Sequence, residues 1–368
     1  MKIGIAGTGV LGRLLAFKLK VLNNDFNASI FDISADFPSC SYMSAGMLSP
    51  FCELNSAEKI IADLGVESIE LWKNNIKLIE KYSNKKIFFQ QNGTLVIAHR
   101  QDLNELKILK RNIDKKIDED FLERPYEILN QERIKILEPN LEDKFSQGLF
   151  FEKDGQVDPR SFLSATLEAL KNLGVKTFFD SKVQISQNKI NDEKFDIVFD
   201  CRGLGAANDL LKKFGKKLRG VRGEIIIVQM SENNQLNFNS SIRLIHPRFP
   251  LYISPREDRK FVIGATMIES EDMSPISVRS SLELLTSAFS INSQFGEARI
   301  LESNVQLRPT FENNLPKILY DGSGYFAING LYRHGFLMSP KLADLAIDFA
   351  IHNKVEKRYD EIYEKNSI

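Results

Sequence analysis

The sequence predicts a mixed α/β and α+β chain: a discontinuous Rossmann-like unit joined to a mostly antiparallel β unit. Three observations predict it. An apolar run without alternation, KIGIAG, leads directly into a glycine-rich turn and a helical pattern. The same α/β rhythm returns in mid-chain, at GQVDPRSFLSATLEALKNLGVKTFF and FDIVFDCRGLGA. From Gly223 onward the pattern becomes strand after strand: GEIIIVQM, LYISPR, KFVIGATM and ARILESNVQLRP.

Composition sets the outer limits. A chain of 368 residues, 43% apolar and 27% charged, is long enough for two domain-sized units with a substantial core. Lys and Arg balance Asp and Glu at 49 each, which argues against nucleic acid or an anionic membrane as partner. Cys40, Cys52 and Cys201 show neither metal-ligand nor disulfide spacing, so no metal is expected and a reducing cytoplasm is the expected setting. The N-terminal lysine and apolar run mimic a signal peptide, but Arg13 and Lys18 break the run. No apolar stretch reaches the roughly 18 residues that a membrane span needs.

The first element is the KIGIAG strand, followed by Gly7-Thr8-Gly9-Val10-Leu11-Gly12 and the helix RLLAFKLK. Gly7 permits the tight turn, Gly9 lets a pyrophosphate approach the backbone, and Gly12 lets helix and strand pack closely. The amides around Val10 and Leu11 open the helix toward the phosphates. A second strand, ASIFD, ends in Asp32, about 20 residues past Gly12, where an acid meets the ribose hydroxyls of a dinucleotide. No arginine follows Asp32 to receive a 2′-phosphate, which disfavours NADP. The loop CSYMSAGMLSP (residues 40–50) then passes where a nicotinamide enzyme would begin another strand–helix unit. Small residues there suit a chain that must run close to a large flat ring, so FAD is favoured over NAD.

Further along, VESIELWKNNIKLIEKY reads as a helix with Trp72, Ile76 and Ile79 on its buried side. IFFQQNGTLVIAH reads as strand, Asn-Gly turn, strand, and DLNELKILKRNI as an amphipathic helix. Residues 110–145 read as charged and loop-rich. Asp158 and Pro159 cap and start a helix with Leu163, Leu167 and Leu170 inward, which Gly174 ends. The basic run KKFGKKLRGVR reads as a solvated face and turn. Ser274 and Pro275 are expected to open a helix that buries Leu282, Leu285 and Phe289. GYFAING is a buried strand, and past Pro340 the run KLADLAIDFAI buries Leu342, Leu345, Ala346 and Phe349.

In order, GTGVLG, SAGMLSP, GQVDP, VFDCRGLGA, VRGE, LYISPR with IGATM, RPTFENNLPKI and NGLYRHGFLMSP resemble the D-amino-acid-oxidase-like FAD oxidoreductases, and most closely the glycine oxidases of thiazole (thiamine) biosynthesis. The resemblance spans nearly the whole chain. It implies noncovalent FAD, since relatives with a covalent flavin attach it through a late cysteine and this chain has none after Cys201. It implies FAD contacts from Gly7, Gly9, Val10, Leu11 and Gly12, from Asp32 and Ile33, from Cys40, Ser41, Ala45, Gly46 and Met47, and from the backbone of Val183. Gly330, Leu331, Tyr332, Arg333, His334, Gly335, Phe336 and Leu337 would embrace the flavin ring. It also divides the chain into an FAD unit (residues 1–83, 146–219 and 304–368) and a substrate unit (84–145 and 220–303). Ser44 and Ser49 depart from the glycine or alanine frequent in the family, which bears on pocket polarity.

For the substrate, the resemblance implies Arg308 as carboxylate clamp, joined by Arg333, with Tyr252 holding a polar group through its hydroxyl. A guanidinium grips a carboxylate through two parallel hydrogen bonds, which fixes the α-carbon. The implied reaction is oxidative deamination of glycine or a similar small amine by dioxygen, with no side-chain catalytic base. A homo-oligomer is suggested too. The alternatives are a D-amino-acid or sarcosine-type oxidase or dehydrogenase, an NAD-dependent dehydrogenase, and a noncatalytic flavin-binding protein. His246 reads as a turn residue before a proline, and His334 as a residue lining the pocket mouth.

Overall fold

The computed structural model describes residues 1–33, 39–54, 57–117, 124–179, 183–248 and 250–366. One sheet has seven strands in the spatial order Tyr363–Lys365, Lys317–Tyr320, Tyr325–Asn329, Ile197–Asp200, Lys2–Ala6, Asn27–Phe31 and Lys176–Phe178. Its pairs are parallel except Lys317–Tyr320 with Tyr325–Asn329. Side chains alternate between two apolar layers: Ile3, Ile5, Ile30, Phe199 and Ile328 on one face, Ala6, Phe31, Val198 and Ala327 on the other. Burial on both faces is why these strands read as unbroken apolar runs.

Four helices build the first layer: α1 (Val10–Leu22), α2 (Lys59–Ser83), α3 (Pro159–Asn172) and, at the end of the chain, Gly335–His352. As expected, Asp158 caps α3 by accepting from Ser161 N at 2.7 Å, and Gly174 beyond it has φ +74°. Helix α2 starts at Lys59, well before the predicted stretch, and carries Gly65 inside it. A Cβ there would stand 2.9 Å from Leu337, so the glycine lets the last helix lie close.

The second sheet has eight strands: Arg299–Thr310, Arg219–Gln229, Lys260–Gly264, Leu251–Pro255, Ser241–Ile245, Thr94–Ala98, Gln147–Phe151 and Glu127–Asn130. It is antiparallel apart from one parallel pair, Ser241–Ile245 with Thr94–Ala98. The expected cuts at 219/220 and 303/304 fall inside Arg219–Gln229 and Arg299–Thr310, which pair along nearly their whole length. Helix α4 (Val278–Ile291) covers one face.

Several local expectations need correction. Phe89–Gln90 and Thr94–Ala98 form no hairpin: the first pairs with Gly155–Val157 and the second joins the large sheet. Between them Gly93, at φ +82°, turns the chain from one sheet to the other. Residues 110–145 contain the end of a helix (Leu103–Lys116), a strand (Glu127–Asn130) and a further helix (Gln131–Leu137). In the basic run, Arg222 is buried and paired with the fully buried Glu224 at 2.7 Å. Ser277, not Ser274, caps α4, and its inward residues are Leu284, Ala288 and Ile291, while Leu282 and Phe289 are 61% and 52% exposed.

The last helix, α5 (Gly335–His352), starts before Pro340 and runs through it. Proline has no N–H, so the Phe336 carbonyl four residues back loses its helical donor. The indole of Trp72 replaces it: Nε1 donates to Phe336 O at 2.9 Å, with the indole stacked on the Phe336 ring. Trp72→Phe keeps an aromatic ring but orphans that buried carbonyl. It is expected to lower unfolding free energy by about 1–3 kcal/mol, read by urea denaturation.

Candidate active site

The glycine turn is built as its spacing predicts. Gly7 has φ +93° and donates to Phe31 O at 2.8 Å. A Cβ on Gly9 would stand 2.9 Å from Ser41 Oγ, and one on Gly12 would stand 1.9 Å from the Gly7 carbonyl oxygen. Side chains there would fill the hollow at the start of α1. Ser41 Oγ accepts from Val10 N at 3.0 Å, tying the small-residue loop to the helix start. The side chains of Val10 and Leu11 are buried in the core, so only their amides could meet a phosphate, and that of Val10 is already given to Ser41 Oγ. Asp32 faces the turn: Oδ2 accepts from Thr8 N and Thr8 Oγ1, both at 2.6 Å, and Oδ1 from Ile33 N at 2.8 Å. A carboxylate has about four acceptor positions, so room remains for a ribose hydroxyl. Ile33 itself is 57% exposed. Val183 gives its carbonyl to Arg202 Nη1 at 3.1 Å, which leaves its N–H for an adenine contact.

Arg13 was legible only as a break in an apolar run. Its buried guanidinium donates through Nε to Thr8 O at 2.7 Å and through Nη1 to Leu163 O, stapling the turn to α3. Burial pulls it down to about 10 against the charge of Asp32.

The loop of residues 40–50 crosses to the second sheet. Gly46 (φ +61°) lies so close to Val157 that its Cβ would meet the Val157 carbonyl. Met47–Leu48 pairs with Gly155–Gln156, while Ala45 and Met47 pack with Ile225, Tyr252 and Ala265. Cys40 is half-buried. Ser44 Oγ donates to Ser41 O at 2.9 Å and Ser49 Oγ lies 3.4 Å from Thr94 Oγ1, so both hydroxyls are taken by protein partners. Arg256, at the end of LYISPR, donates to the Ala45 carbonyl and to Gln156 Oε1, and burial lowers it to about 10. It holds the loop against the sheet.

Tyr252 stands between Arg243 and Gly264 in adjacent strands. A Cβ on Gly264 would be 2.9 Å from the Tyr252 hydroxyl, so the glycine provides the ring's berth. Burial pushes the phenol up to about 12 despite nearby Arg308, so it remains a donor at neutral pH. Arg308 lies opposite Val221, and its guanidinium rests over Gly223, where a Cβ would come within 2.2 Å of Nη2. Its Nη1 donates to the carbonyls of Thr266 (3.0 Å) and Arg222 (3.3 Å). Among the described residues no carboxylate within salt-bridge distance neutralises it.

Arg333 differs. Its Nη2 donates to Glu53 Oε1 at 2.6 Å, while Nη1 lies 3.7 Å from Met267 Sδ. Tyr332, with left-handed φ +51°, donates to the same sulfur at 2.9 Å. Gly330 has φ +78°, and Gly335 opens α5 with nothing closer than 3.9 Å along its Cβ direction. Leu331 is partly buried, and the Phe336 and Leu337 side chains turn into the helical core, so their amides are what the helix start presents. Imidazole Nδ1 of His334 is 3.7 Å from Glu53 Oε2. Burial lowers His334 to about 4, which Glu53 opposes and the arginines reinforce. Burial alone would raise Glu53, but Arg333, Arg243 and His334 outweigh it and bring it to about 2.

These shifts set a pH dependence. His334 binds its proton more readily unfolded, near 6.5, than folded, near 4, so stability falls as pH drops through that interval. Glu53 adds a second loss below its ordinary 4.5, extending toward 2. His334→Gln is expected to flatten the melting temperature between pH 6.5 and 4, read by thermal melts at each pH.

His246, as expected, lies in a turn, accepting from Arg248 N at 3.1 Å. His99 Nε2 meets Ser290 Oγ at 2.9 Å. Sequence reasoning missed Glu53, Arg243 and Arg256, whose partners lie on distant segments. No group of residues with metal-ligand character occurs among those described, and no described helix is long and apolar enough to cross a membrane.

The glycine hollow, the unneutralised Arg308 and the open space before Gly335 fit a flavin dinucleotide and an acidic substrate. Comparisons agree. A Rhizobium etli protein named as a thiamine biosynthesis oxidoreductase, ThiO, is 33% identical over 346 residues, covering 93% of this chain and 94% of that protein. A Synechocystis bifunctional protein ThiO/ThiG is 24% identical over 361 residues, where this chain spans 52% of its length. The glycine oxidase structure from Geobacillus kaustophilus superposes with TM-score 0.81 at 21% identity, over 96% of this chain and 95% of that one. The iminodiacetate oxidase structure from Chelativorans sp. BNC1 gives the same score at 18% identity, covering 99% of both. Residues 2–349 match the DAO family of FAD dependent oxidoreductases, and the chain belongs to that family.

Proposed function

We propose that the protein oxidatively deaminates glycine or a similarly small amino acid, with dioxygen as acceptor, and that the product serves thiazole formation for thiamine. The carrying observation is Arg308, a guanidinium held over Gly223 whose partners among the described residues are backbone carbonyls, near the Tyr252 phenol. Such a cation suits a carboxylate through paired, charge-assisted hydrogen bonds. Support for the substrate class also comes from the names of the Rhizobium relative and the Geobacillus structure.

In this reading the α1 turn holds the pyrophosphate of FAD, Asp32 and Ile33 its ribose, Val183 its adenine, and residues 40–47 and 330–337 its ring system. FAD, when bound, would supply the oxidising chemistry: the substrate loses a hydride from Cα–H and a proton from N–H as its Cα–N single bond becomes the imine double bond, and dioxygen takes up the two electrons and two protons as hydrogen peroxide. Arg308 fixes the carboxylate and Tyr252 donates to it, which sets the α-carbon's position. The imine then hydrolyses to glyoxylate and ammonia or passes to thiazole assembly. The unpaired amides that open α5 supply a positive field where negative charge gathers on reduction. His334, neutral at pH 7, shapes the pocket wall. We also assign residues 1–83, 146–219 and 304–368 to the cofactor unit, with 84–145 and 220–303 as the substrate unit, in a cytoplasmic homo-oligomer.

The test is an absorption spectrum of the purified protein, then anaerobic bleaching by glycine, sarcosine, D-alanine and D-proline, with a peroxide assay in air. Bleaching by glycine with peroxide release is expected. Preference for D-alanine, D-proline or sarcosine would move the assignment to a D-amino-acid or secondary-amine oxidase. Bleaching without peroxide would indicate a dehydrogenase, and flavin bands with no bleaching a noncatalytic flavoprotein.

A further inference from the structure

Arg308 and Arg333 converge on one dipeptide. Arg308 Nη1 donates to the carbonyl of Thr266 at 3.0 Å, and Arg333 Nη1 lies 3.7 Å from the sulfur of Met267. Their segments are tied as well, since Tyr332 N donates to Pro309 O at 3.0 Å. Two guanidinium groups therefore reach the same dipeptide, and they differ in what balances their charge.

Arg308 has carbonyl oxygens. Arg333 has Glu53, at 2.6 Å, in a pair whose side chains are 21% and 14% exposed. The backbone beside Glu53 is anchored, because Arg243 Nη1 donates to the Cys52 carbonyl. Neutral His334 sits at 3.7 Å against the other oxygen of Glu53. A second carboxylate brought to this guanidinium would stand beside the first, with one positive charge to balance two largely buried negative ones.

We infer that Glu53 is a specificity-determining residue: by occupying Arg333 it leaves Arg308 as the pocket's guanidinium open to a carboxylate, and so restricts the site to amines carrying one carboxylate. This rests on the reading of Arg308 as the clamp. An amine with two carboxylates brings its second one into competition with Glu53 for Arg333, with like charges crowded together. Selection thus comes from a repulsive element as much as from an attractive one.

The experiment uses the FAD-loaded protein with acetate and malonate, neither of which it can oxidise as an amine. Binding is read by calorimetry and by perturbation of the flavin spectrum. Glu53→Gln keeps size and shape and removes the charge. Malonate is expected to bind at least about tenfold more tightly to this variant than to the parent, and acetate to change less than about threefold. The malonate gain should vanish in the Glu53→Gln, Arg333→Met double variant. Should Glu53→Gln fail to hold FAD, Glu53→Asp withdraws the carboxylate from Arg333 and is expected to shift malonate in the same direction. No malonate gain, an equal gain for acetate, or a gain that survives loss of Arg333 would overturn the inference. Acetate binding that is indifferent to Arg308→Ala, alongside a malonate gain in Glu53→Gln, would instead fell the clamp and leave the role of Glu53 standing.

Discussion

Arg308→Ala is expected to cut kcat/KM for glycine by about a hundredfold to ten-thousandfold, mostly through KM, while the protein stays yellow. Two hydrogen bonds from a cation to a carboxylate contribute about 1.5–3 kcal/mol each, and truncation removes both. Of the two carbonyls this guanidinium touches, that of Arg222 also accepts from Ile268 N at 3.0 Å and keeps a partner, while that of Thr266 loses the Arg308 donor. The turn around Gly7, the proposed seat of the dinucleotide, belongs to the other sheet. Arg308→Lys should recover only part of the loss, because an ammonium is a point charge without the planar fork. Steady-state kinetics with glycine, beside the flavin absorbance of each preparation, check both statements. Unchanged kinetics in Arg308→Ala would sink the assignment.

How much of this was legible depended on where each signal lives in the chain. The glycine turn, Asp32, and the Asp158–Pro159 helix start are local: neighbours within a few residues, or one strand–turn–helix unit, determine them. The continuous apolar strands were legible because a sheet covered on both faces needs no alternation. The start of α4 was misread for an identifiable reason. Ser274 is engaged with Asp272, its N–H to Oδ1 at 2.8 Å and its hydroxyl to Oδ2 at 2.6 Å, and Arg222 clamps the Pro275 carbonyl at 3.0 Å. The cap therefore falls to Ser277, and the buried stripe is rotated onto Leu284, Ala288 and Ile291, with Leu285 at its margin.

The candidate site shows the same division. Arg308, Tyr252 and the 330–337 stretch lie on motifs that a sequence displays. Glu53 gives no signal of its own, being one acid among many until the fold brings Arg333 to it from 280 positions away. The same holds for Arg256 on Ala45 and Arg243 on Cys52, contacts that join segments about two hundred residues apart. Pairings of this kind are a product of topology, and the charge balance of the pocket is made from them.

The second large effect is expected at Gly12. Gly12→Ala should yield protein that folds but purifies nearly colourless, with FAD bound about tenfold to a hundredfold more weakly. The backbone angle is not the obstacle. The obstacle is contact: a Cβ at this position would lie 1.9 Å from the Gly7 carbonyl oxygen and 3.1 Å from its carbon. Neither atom belongs to a side chain that can swing away, so α1 must lift from the turn or the turn must open. Strain of this kind typically costs about 1–3 kcal/mol, and here it falls on the hollow proposed to meet the pyrophosphate. Gly9→Ala supplies the contrast. Its Cβ would meet Ser41 Oγ at 2.9 Å, the end of a rotatable side chain that can yield by releasing Val10 N. Gly9→Ala should therefore keep more of its melting temperature than Gly12→Ala while still losing flavin. The flavin-to-protein absorbance ratio, with thermal melts of both variants, reads the two effects separately. A Gly12→Ala protein as yellow and as stable as the parent would show that the turn can widen freely, and the close packing of α1 on the first strand would then not be what forms the cofactor's seat.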